Sequence, residues 1–180
     1  MRRNRARVAG LLVSLLSAFT AYSQPVDSPV EYQVKAAFLL NFTKFVDWPA
    51  ASFASPDSPI TICILGKDPF GSVLDEIVQG ETVNARKVTV QRISQPPAGP
   101  QTCHVAFVGE PDKGIAKTLS GLGRGVLTVG EGDRFLRDGG MVALVLDNHR
   151  VRFDINQAAA TGAGLGLSAR LLNVARAVEK

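Results

Sequence analysis

The chain has 180 residues, 46% of them apolar, and carries 20 Lys and Arg residues against 16 Asp and Glu residues. The excess of positive charge comes from four arginines within the first seven residues, so the rest of the chain is formally neutral. Bulk charge therefore does not support binding to nucleic acid or to an anionic membrane surface, and the length fits one domain with a substantial core.

The N-terminus has the pattern of a secretory signal peptide. Basic residues precede an apolar stretch from Val8 to Ala21, which is too short to span a bilayer comfortably. Small residues at Ala21 and Ser23 fit the positions that a signal peptidase reads. We predict cleavage after Ser23, with residues 1–23 as the signal peptide and residues 24–180 as one exported domain. A retained membrane anchor is the alternative.

The stretch from Ser28 to Pro49 predicts one amphipathic helix. Ser28 and Glu31 fit a capping box, while Pro49 cannot continue the helix and sets Trp48 at its exit. Apolar residues recur at three- and four-residue steps and predict the face that packs on the core: Val30, Val34, Ala37, Phe38, Phe42, Phe45 and Val46.

Six short apolar runs after this helix predict strands. They are Ile60 to Leu65, Arg86 to Ile93, His104 to Val108, Gly125 to Val129, Met141 to Leu146 and Val151 to Ile155. Helices are predicted between Phe70 and Val78, from Lys113 to Leu122, for one turn from Asp133 to Arg137, and as a single closing helix from Asn156 to Val178. The last two strands flank Asn148-His149 and predict a hairpin. This alternation predicts an α/β sandwich with a mixed five- to six-stranded sheet covered by helices.

Two cysteines, Cys63 and Cys103, are present in the chain. In an exported protein two cysteines most simply pair with each other, which would close a long loop. The alternatives are two buried free thiols in neighbouring strands, or a redox-active pair, although the CxxC spacing is absent.

Motifs for catalysis, metal binding or cofactor binding do not emerge. The loop Gly66 to Gly71 lies between a strand and a helix, but it lacks both the Walker pattern and GxGxxG. His104 adjoins Cys103, yet neighbouring strand residues point to opposite faces and cannot readily share a proton. The spacing of His, Cys and carboxylate residues resembles no metal site. We therefore predict a protein that is not an enzyme and needs no cofactor.

Four residues are candidates for contact with a partner: Asn41, Lys44, Trp48 and Arg152. Asn41 and Lys44 interrupt the apolar run of the first helix, where capping and solvation are the alternative roles. Tryptophan is enriched at interface hot spots, and the alternative for Trp48 is a partly buried indole of the core. Arg152 alternates onto the polar side of its strand.

The segment VKAAFLLNFTKFVDWP, residues 34–49, closely resembles the N-terminal signature of the YfiR family of periplasmic proteins. Gly139-Gly140-Met141, the strand VRFDIN at residues 151–156 and the leucines near the C-terminus are similar to the C-terminal half of that family. The resemblance covers essentially the whole chain after the predicted signal peptide.

The resemblance implies a periplasmic regulator that is not an enzyme. It would bind and repress the periplasmic sensor domain of a membrane diguanylate cyclase and so lower cyclic-di-GMP signalling and biofilm formation. An outer-membrane lipoprotein is implied as a second partner, and a homodimer stays open. Cys63 and Cys103 match a family pair that forms a disulfide, whereas the family's second pair is absent because residues 141–151 contain no cysteine.

The alternative from another class is a periplasmic small-molecule-binding module that serves a transport or sensor system. A pocket lined by aromatic side chains would favour this module, whereas an exposed apolar patch would favour the regulator.

Overall fold

The computed structural model describes residues 29–96, 103–109 and 114–180. The predicted signal peptide with its cleavage site, the Ser28 cap and Lys113 lie outside these residues. The helices are α1 (Pro29–Phe45), α2 (Ser72–Val78), α3 (Ile115–Leu122), α4 (Asp133–Arg137), α5 (Gln157–Gly162) and α6 (Ala169–Val174). The strands are β1 (Val46–Asp47), β2 (Ile60–Gly66), β3 (Thr82–Val83), β4 (Arg86–Ile93), β5 (Val105–Gly109), β6 (Leu127–Glu131), β7 (Val142–Asp147), β8 (Arg150–Asn156), β9 (Gly166–Leu167) and β10 (Ala177–Glu179).

Eight strands form one mixed sheet in the order β10-β8-β7-β6-β5-β2-β4-β3. The five strands from β4 to β7 in this order run parallel, and β8 returns antiparallel to β7. The predicted α/β sandwich is therefore confirmed, and its six inner strands are those that the sequence predicted. The predicted strand number was too low, because the edge strands β3 and β10 have only 2 and 3 residues and carry little pattern.

The helix α1 packs on one face of the sheet, but its buried side is rotated from the predicted one. Phe42 is buried as expected, and so is Val46, which lies in β1 directly after the helix. By contrast, Val30 is 63% and Val34 is 40% exposed. The assignment of these two valines to the core was therefore wrong.

Two polar residues lie on the buried side of α1. The Nζ atom of Lys35 lies 2.7 Å from Oε1 of Glu131, and the Thr43 hydroxyl donates to the carbonyl of Leu40 at 2.6 Å. Partners for both polar groups offset the cost of removing them from water. A count of apolar residues alone cannot find a buried face that includes them.

The sheet has a hydrophobic core on each face. On the α1 side, the rings of Phe38 and Phe42 contact the Phe153 ring edge-on, with centroid distances of 5.3 and 5.2 Å. On the other side, residues of α3 and α4 join a cluster that contains Cys63 and Cys103. These two cysteines form a disulfide with their Cα atoms 5.6 Å apart, and both residues are fully buried.

The C-terminal segment is not the single closing helix that we predicted. The helix α5 ends at Gly162, and Gly164 then takes a left-handed conformation with φ 85°, which a helix cannot continue. The Ser168 hydroxyl accepts a hydrogen bond from the Leu171 N–H and so begins α6 as a separate helix. The segment after α6 forms β10, which pairs with β8, a strand that precedes it in sequence by about 20 residues.

A candidate partner-binding groove

Exposed apolar side chains gather on one side of the molecule. Val30 and Val34 of α1 and Leu146 at the end of β7, which is 58% exposed, line the same groove of about 480 Å³. We call it the α1–hairpin groove, and its lining residues are Val30, Glu31, Val34, Leu146, His149, Arg150 and Val151. Clustered exposed apolar side chains are typical of interaction surfaces, whereas single ones are common everywhere.

The second wall of the groove is the predicted β7–β8 hairpin, which the structure confirms. Asp147 and Arg150 pair across a two-residue turn, in which Asn148 and His149 have φ values of 47° and 60°. Left-handed conformations at both central positions are those of the type I′ turn, which suits the twist of antiparallel strands. The turn thereby places Arg150 and Val151 at the rim of the groove.

A second cavity of about 380 Å³ adjoins the groove, since Glu31 and Leu146 line both. Lys35 lies at its edge with 4% of its surface exposed, and its Nζ is 2.5 Å from Glu31 and 2.7 Å from Glu131. Burial alone would lower the pKa of Lys35, but hydrogen bonds to Glu131 and Glu31 outweigh it and raise the pKa above its ordinary value. Lys35 is therefore a charged structural group that joins α1 to β6.

A second ion-pair cluster lines the other side of this cavity. The guanidinium of Arg176 contacts the carboxylate of Asp154 and lies 3.1 Å from Oδ1 of Asp133. Both cations of the cavity, Lys35 and Arg176, are thus already matched with acids. A charged small molecule would have to compete with these pairs.

The structure disperses the four predicted partner-binding residues. Asn41 and Lys44 are exposed on the second half of α1, and Lys44 forms an exposed ion pair with Glu81 at 3.0 Å. Trp48 is half-buried, packs against the core, and donates from Nε1 to the carbonyl of His104 at 3.3 Å. None of these three lines the α1–hairpin groove.

Arg152 lies on the other face of the sheet. Its neighbour in β8, Phe153, packs against α1, and successive strand residues point to opposite faces, so the exposed Arg152 side chain points away from α1. Asn41, Lys44, Trp48 and Arg152 therefore do not form one site.

Sequence reasoning missed the groove residues because it counted Val30 and Val34 as core. A signal was present in the hairpin: Leu146 and Val151 are cross-strand partners next to a two-residue turn. Two apolar residues paired close to a hairpin turn can form an exposed apolar patch, which is typical of an interaction surface.

The residues that could take part in acid–base or metal chemistry are held in structural roles or lie apart within the described part of the chain. The two ring nitrogens of His104 bind the backbone of Thr61 and of Ser52, and His104 is 2% exposed. Among residues 29–96, 103–109 and 114–180, no three His, Cys, Asp or Glu side chains are placed to hold a metal ion. Across the same ranges, no helix has the length and apolar character needed to cross a bilayer.

These features define a small α/β domain with a disulfide in its core and an exposed apolar groove. The profile of the family DUF4154, described as YfiR/HmsC-like, matches residues 32–176. The chain therefore belongs to the YfiR/HmsC-like family, in agreement with the resemblance of residues 34–49. A search of curated proteins finds no match.

Proposed function

We propose that this protein is a periplasmic regulator that binds the periplasmic sensor domain of a membrane diguanylate cyclase and represses it. Membership of the YfiR/HmsC-like family supports the class of regulator. The observation that carries the proposal is the α1–hairpin groove, where Val30, Val34 and Leu146 are exposed together between a helix and a hairpin.

Repression requires that the regulator bind the inactive cyclase more tightly than the active one. A bound protein shifts a two-state equilibrium only by its difference in affinity for the two states. The regulator therefore needs a surface that fits one arrangement of the sensor domain, and it needs no chemistry of its own. An apolar groove with charged rims fits that requirement.

The α1–hairpin groove and the cavity beside it support the regulator over the small-molecule module. Neither the groove nor the adjoining cavity is lined by Phe, Tyr or Trp, and the cations of the second cavity are already paired. A ligand site would be expected to combine apolar or aromatic walls with a few polar groups that are free to orient the ligand.

The proposed compartment is the periplasm, with residues 1–23 removed after export. The buried Cys63–Cys103 disulfide supports this proposal, because such bonds persist in oxidising compartments. An outer-membrane lipoprotein that competes for the regulator, and a homodimer, belong to the same proposal.

Affinity capture from solubilised membranes of the source organism tests the proposal. The wild-type protein is expected to retain a membrane diguanylate cyclase, identified by mass spectrometry, and Val34→Glu is expected to lose it. Val174→Glu is the matched control, because Val174 is 61% exposed on α6 and does not line the groove. Absence of any cyclase from the wild-type capture, with the protein folded and oxidised, would contradict the proposal.

A further inference from the structure

The strand β8 is only partly covered on its outer edge. The edge strand β10 pairs with β8 from Asp154 to Asn156, and the Arg176 N–H donates to the carbonyl of Phe153 at 2.8 Å. Among the described residues, no strand pairs with residues 150–152 on this side. Within the described residues, the hairpin end of β8 is therefore an open sheet edge.

The backbone of Val151 points to this open edge. The carbonyl of Phe153 faces β10, and because backbone groups alternate in direction along a strand, the N–H and C=O of Val151 face the same way. The N–H and C=O groups of Arg150 and Arg152, the residues before and after Val151, point to β7 instead. One donor and one acceptor are thus presented to an incoming chain.

The side chains of this edge alternate between base, apolar and base. Strand alternation places Arg150 and Arg152 on the side opposite Val151, although Arg150 also reaches the rim of the groove. Both side chains are exposed, and neither makes an ion pair within the described part of the chain. Val151 lies on the α1 face, opposite Leu146 and in the lining of the groove. A strand added here would place its own residues opposite this pattern.

The charges argue against a second copy of the chain at this edge. Two copies paired antiparallel about Val151 would set Arg150 of one copy opposite Arg152 of the other, and like charges in that position destabilise a strand pair. The complementary pattern is acid, apolar, acid.

We propose that β8 accepts an extended segment of the partner protein by strand addition, and that the centre of this segment reads acid–apolar–acid. The two carboxylates face Arg150 and Arg152, while the apolar side chain packs beside Val151 at the rim of the α1–hairpin groove. Main-chain hydrogen bonds at Val151 hold the segment, and the side-chain pattern gives selectivity. This inference rests on the proposed function and specifies how the partner is recognised.

Short blocked peptides test the recognition directly with the full chain. A peptide centred on Glu-Val-Glu is expected to bind at least about tenfold more tightly than one centred on Lys-Val-Lys, measured by calorimetry at low salt. In the Arg150→Glu/Arg152→Glu variant the preference is expected to reverse. A peptide N-methylated at its central residues should not bind, because it cannot complete the ladder.

A backbone variant separates strand addition from simple charge attraction. Val151→Pro removes the outward N–H, and proline is tolerated on edge strands where that N–H makes no ladder bond. We expect it to lose the Glu-Val-Glu peptide while its thermal unfolding stays close to wild type. If this variant fails to fold, the N-methylated peptide still separates the two, because it keeps the charges and lacks the backbone donors of the ladder.

Other occupants would overturn the inference. A wild-type dimer that the Val151→Pro change dissociates would mean that a second copy takes the edge. Binding to vesicles of phosphatidylglycerol, without any preference between the two peptides, would assign the arginines to a membrane surface.

Capture of the cyclase by Val151→Pro as well as by wild type would reject strand addition and leave the proposed function standing. Selective binding of the Glu-Val-Glu peptide without capture of any cyclase would reject the proposed function and would still support strand addition at β8.

Discussion

The backbone N–H of Thr61 donates a hydrogen bond to Nδ1 of His104 at 3.1 Å. Nδ1 must therefore be the unprotonated nitrogen, and Nε2 carries the proton that it donates to the carbonyl of Ser52 at 3.0 Å. A second proton on Nδ1 would break the bond to Thr61. The fold thus holds a neutral imidazole that joins β2 to the turn after Trp48.

The first prediction concerns the dependence of stability on pH. Burial lowers the pKa of His104, and the nearby charge of Arg86 lowers it further, although the bond to Ser52 opposes both. The neutral His104 contributes its full stabilisation above the pKa of about 6.5 that a histidine has in the unfolded chain. This contribution is lost as the pH falls from that value through the lower pKa of His104 in the folded protein. Urea unfolding between pH 7.5 and 5, values chosen to bracket about 6.5, is expected to show this loss.

Two asparagine variants test the assignment to His104. His104→Asn keeps an acceptor for Thr61 and should flatten the pH profile, at a cost of about 1–3 kcal/mol in the free energy of unfolding. His149→Asn is the control, because His149 is exposed in a turn that suits asparagine. A profile as steep in His104→Asn as in wild type would reject the assignment.

The second prediction concerns the disulfide. Replacement of both Cys63 and Cys103 by alanine is expected to lower the free energy of unfolding by about 2–4 kcal/mol, because the bond joins residues 40 apart in sequence and restricts the unfolded chain. Urea unfolding with and without reductant measures this. Reductant should destabilise the wild type and leave the double variant unchanged; equal stability of the two oxidised proteins would contradict a structural role.

The third prediction compares two lysines of α1. Lys35→Met is expected to destabilise the protein by about 1–3 kcal/mol, because it leaves Glu31 and Glu131 without the cation between them. Lys44→Met removes an exposed pair with Glu81 and should change stability by less than about 0.5 kcal/mol. Chemical denaturation of both variants measures the difference, and equal effects would show that the Lys35 network contributes no more than a surface pair.

The fourth prediction explains the Gly-Gly-Met motif. A Cβ atom at Gly140 would lie 2.2 Å from Cδ1 of the buried Phe135 ring and 2.7 Å from its carbonyl oxygen. Gly140→Ala is therefore expected to cost about 1–3 kcal/mol or more. Gly162→Ala is the control, because an added Cβ there meets nothing within 4 Å and should be neutral or slightly stabilising.

A double variant identifies the clash at Gly140. In a Phe135→Ala background the cost of Gly140→Ala should shrink without vanishing, since the carbonyl of residue 135 remains. Full additivity of the two costs would mean that the ring does not restrict position 140.

Local patterns in the sequence were sufficient to predict most helices and strands, but not which of their side chains are buried. The apolar runs predicted the six inner strands well, because period and turn chemistry are local properties. The first helix was predicted to continue to Trp48, but α1 ends at Phe45 and the next two residues form β1. The buried face of α1 could not be found locally, since one of the two carboxylates that pair with the buried Lys35 belongs to Glu131, which is distant in sequence. The strand β10 depends in the same way on β8.

The candidate site was harder to predict for a related reason. The α1–hairpin groove joins Val34 to Leu146 and Val151, which meet only after the sheet has formed. Asn41, Lys44 and Trp48 were selected by residue type within one predicted helix, and residue type does not tell which side of a helix stays uncovered. Their role in binding a partner stays a prediction.

Cyclic-di-GMP in living cells tests the central claim most directly. In the source organism, deletion of the gene is expected to raise cyclic-di-GMP, and the wild-type protein or Val174→Glu is expected to restore the low level. Val34→Glu, present in the periplasm at the same concentration, should fail to restore it because its groove no longer accepts the partner. An unchanged cyclic-di-GMP level after deletion, or full restoration by Val34→Glu, would contradict repression through the groove.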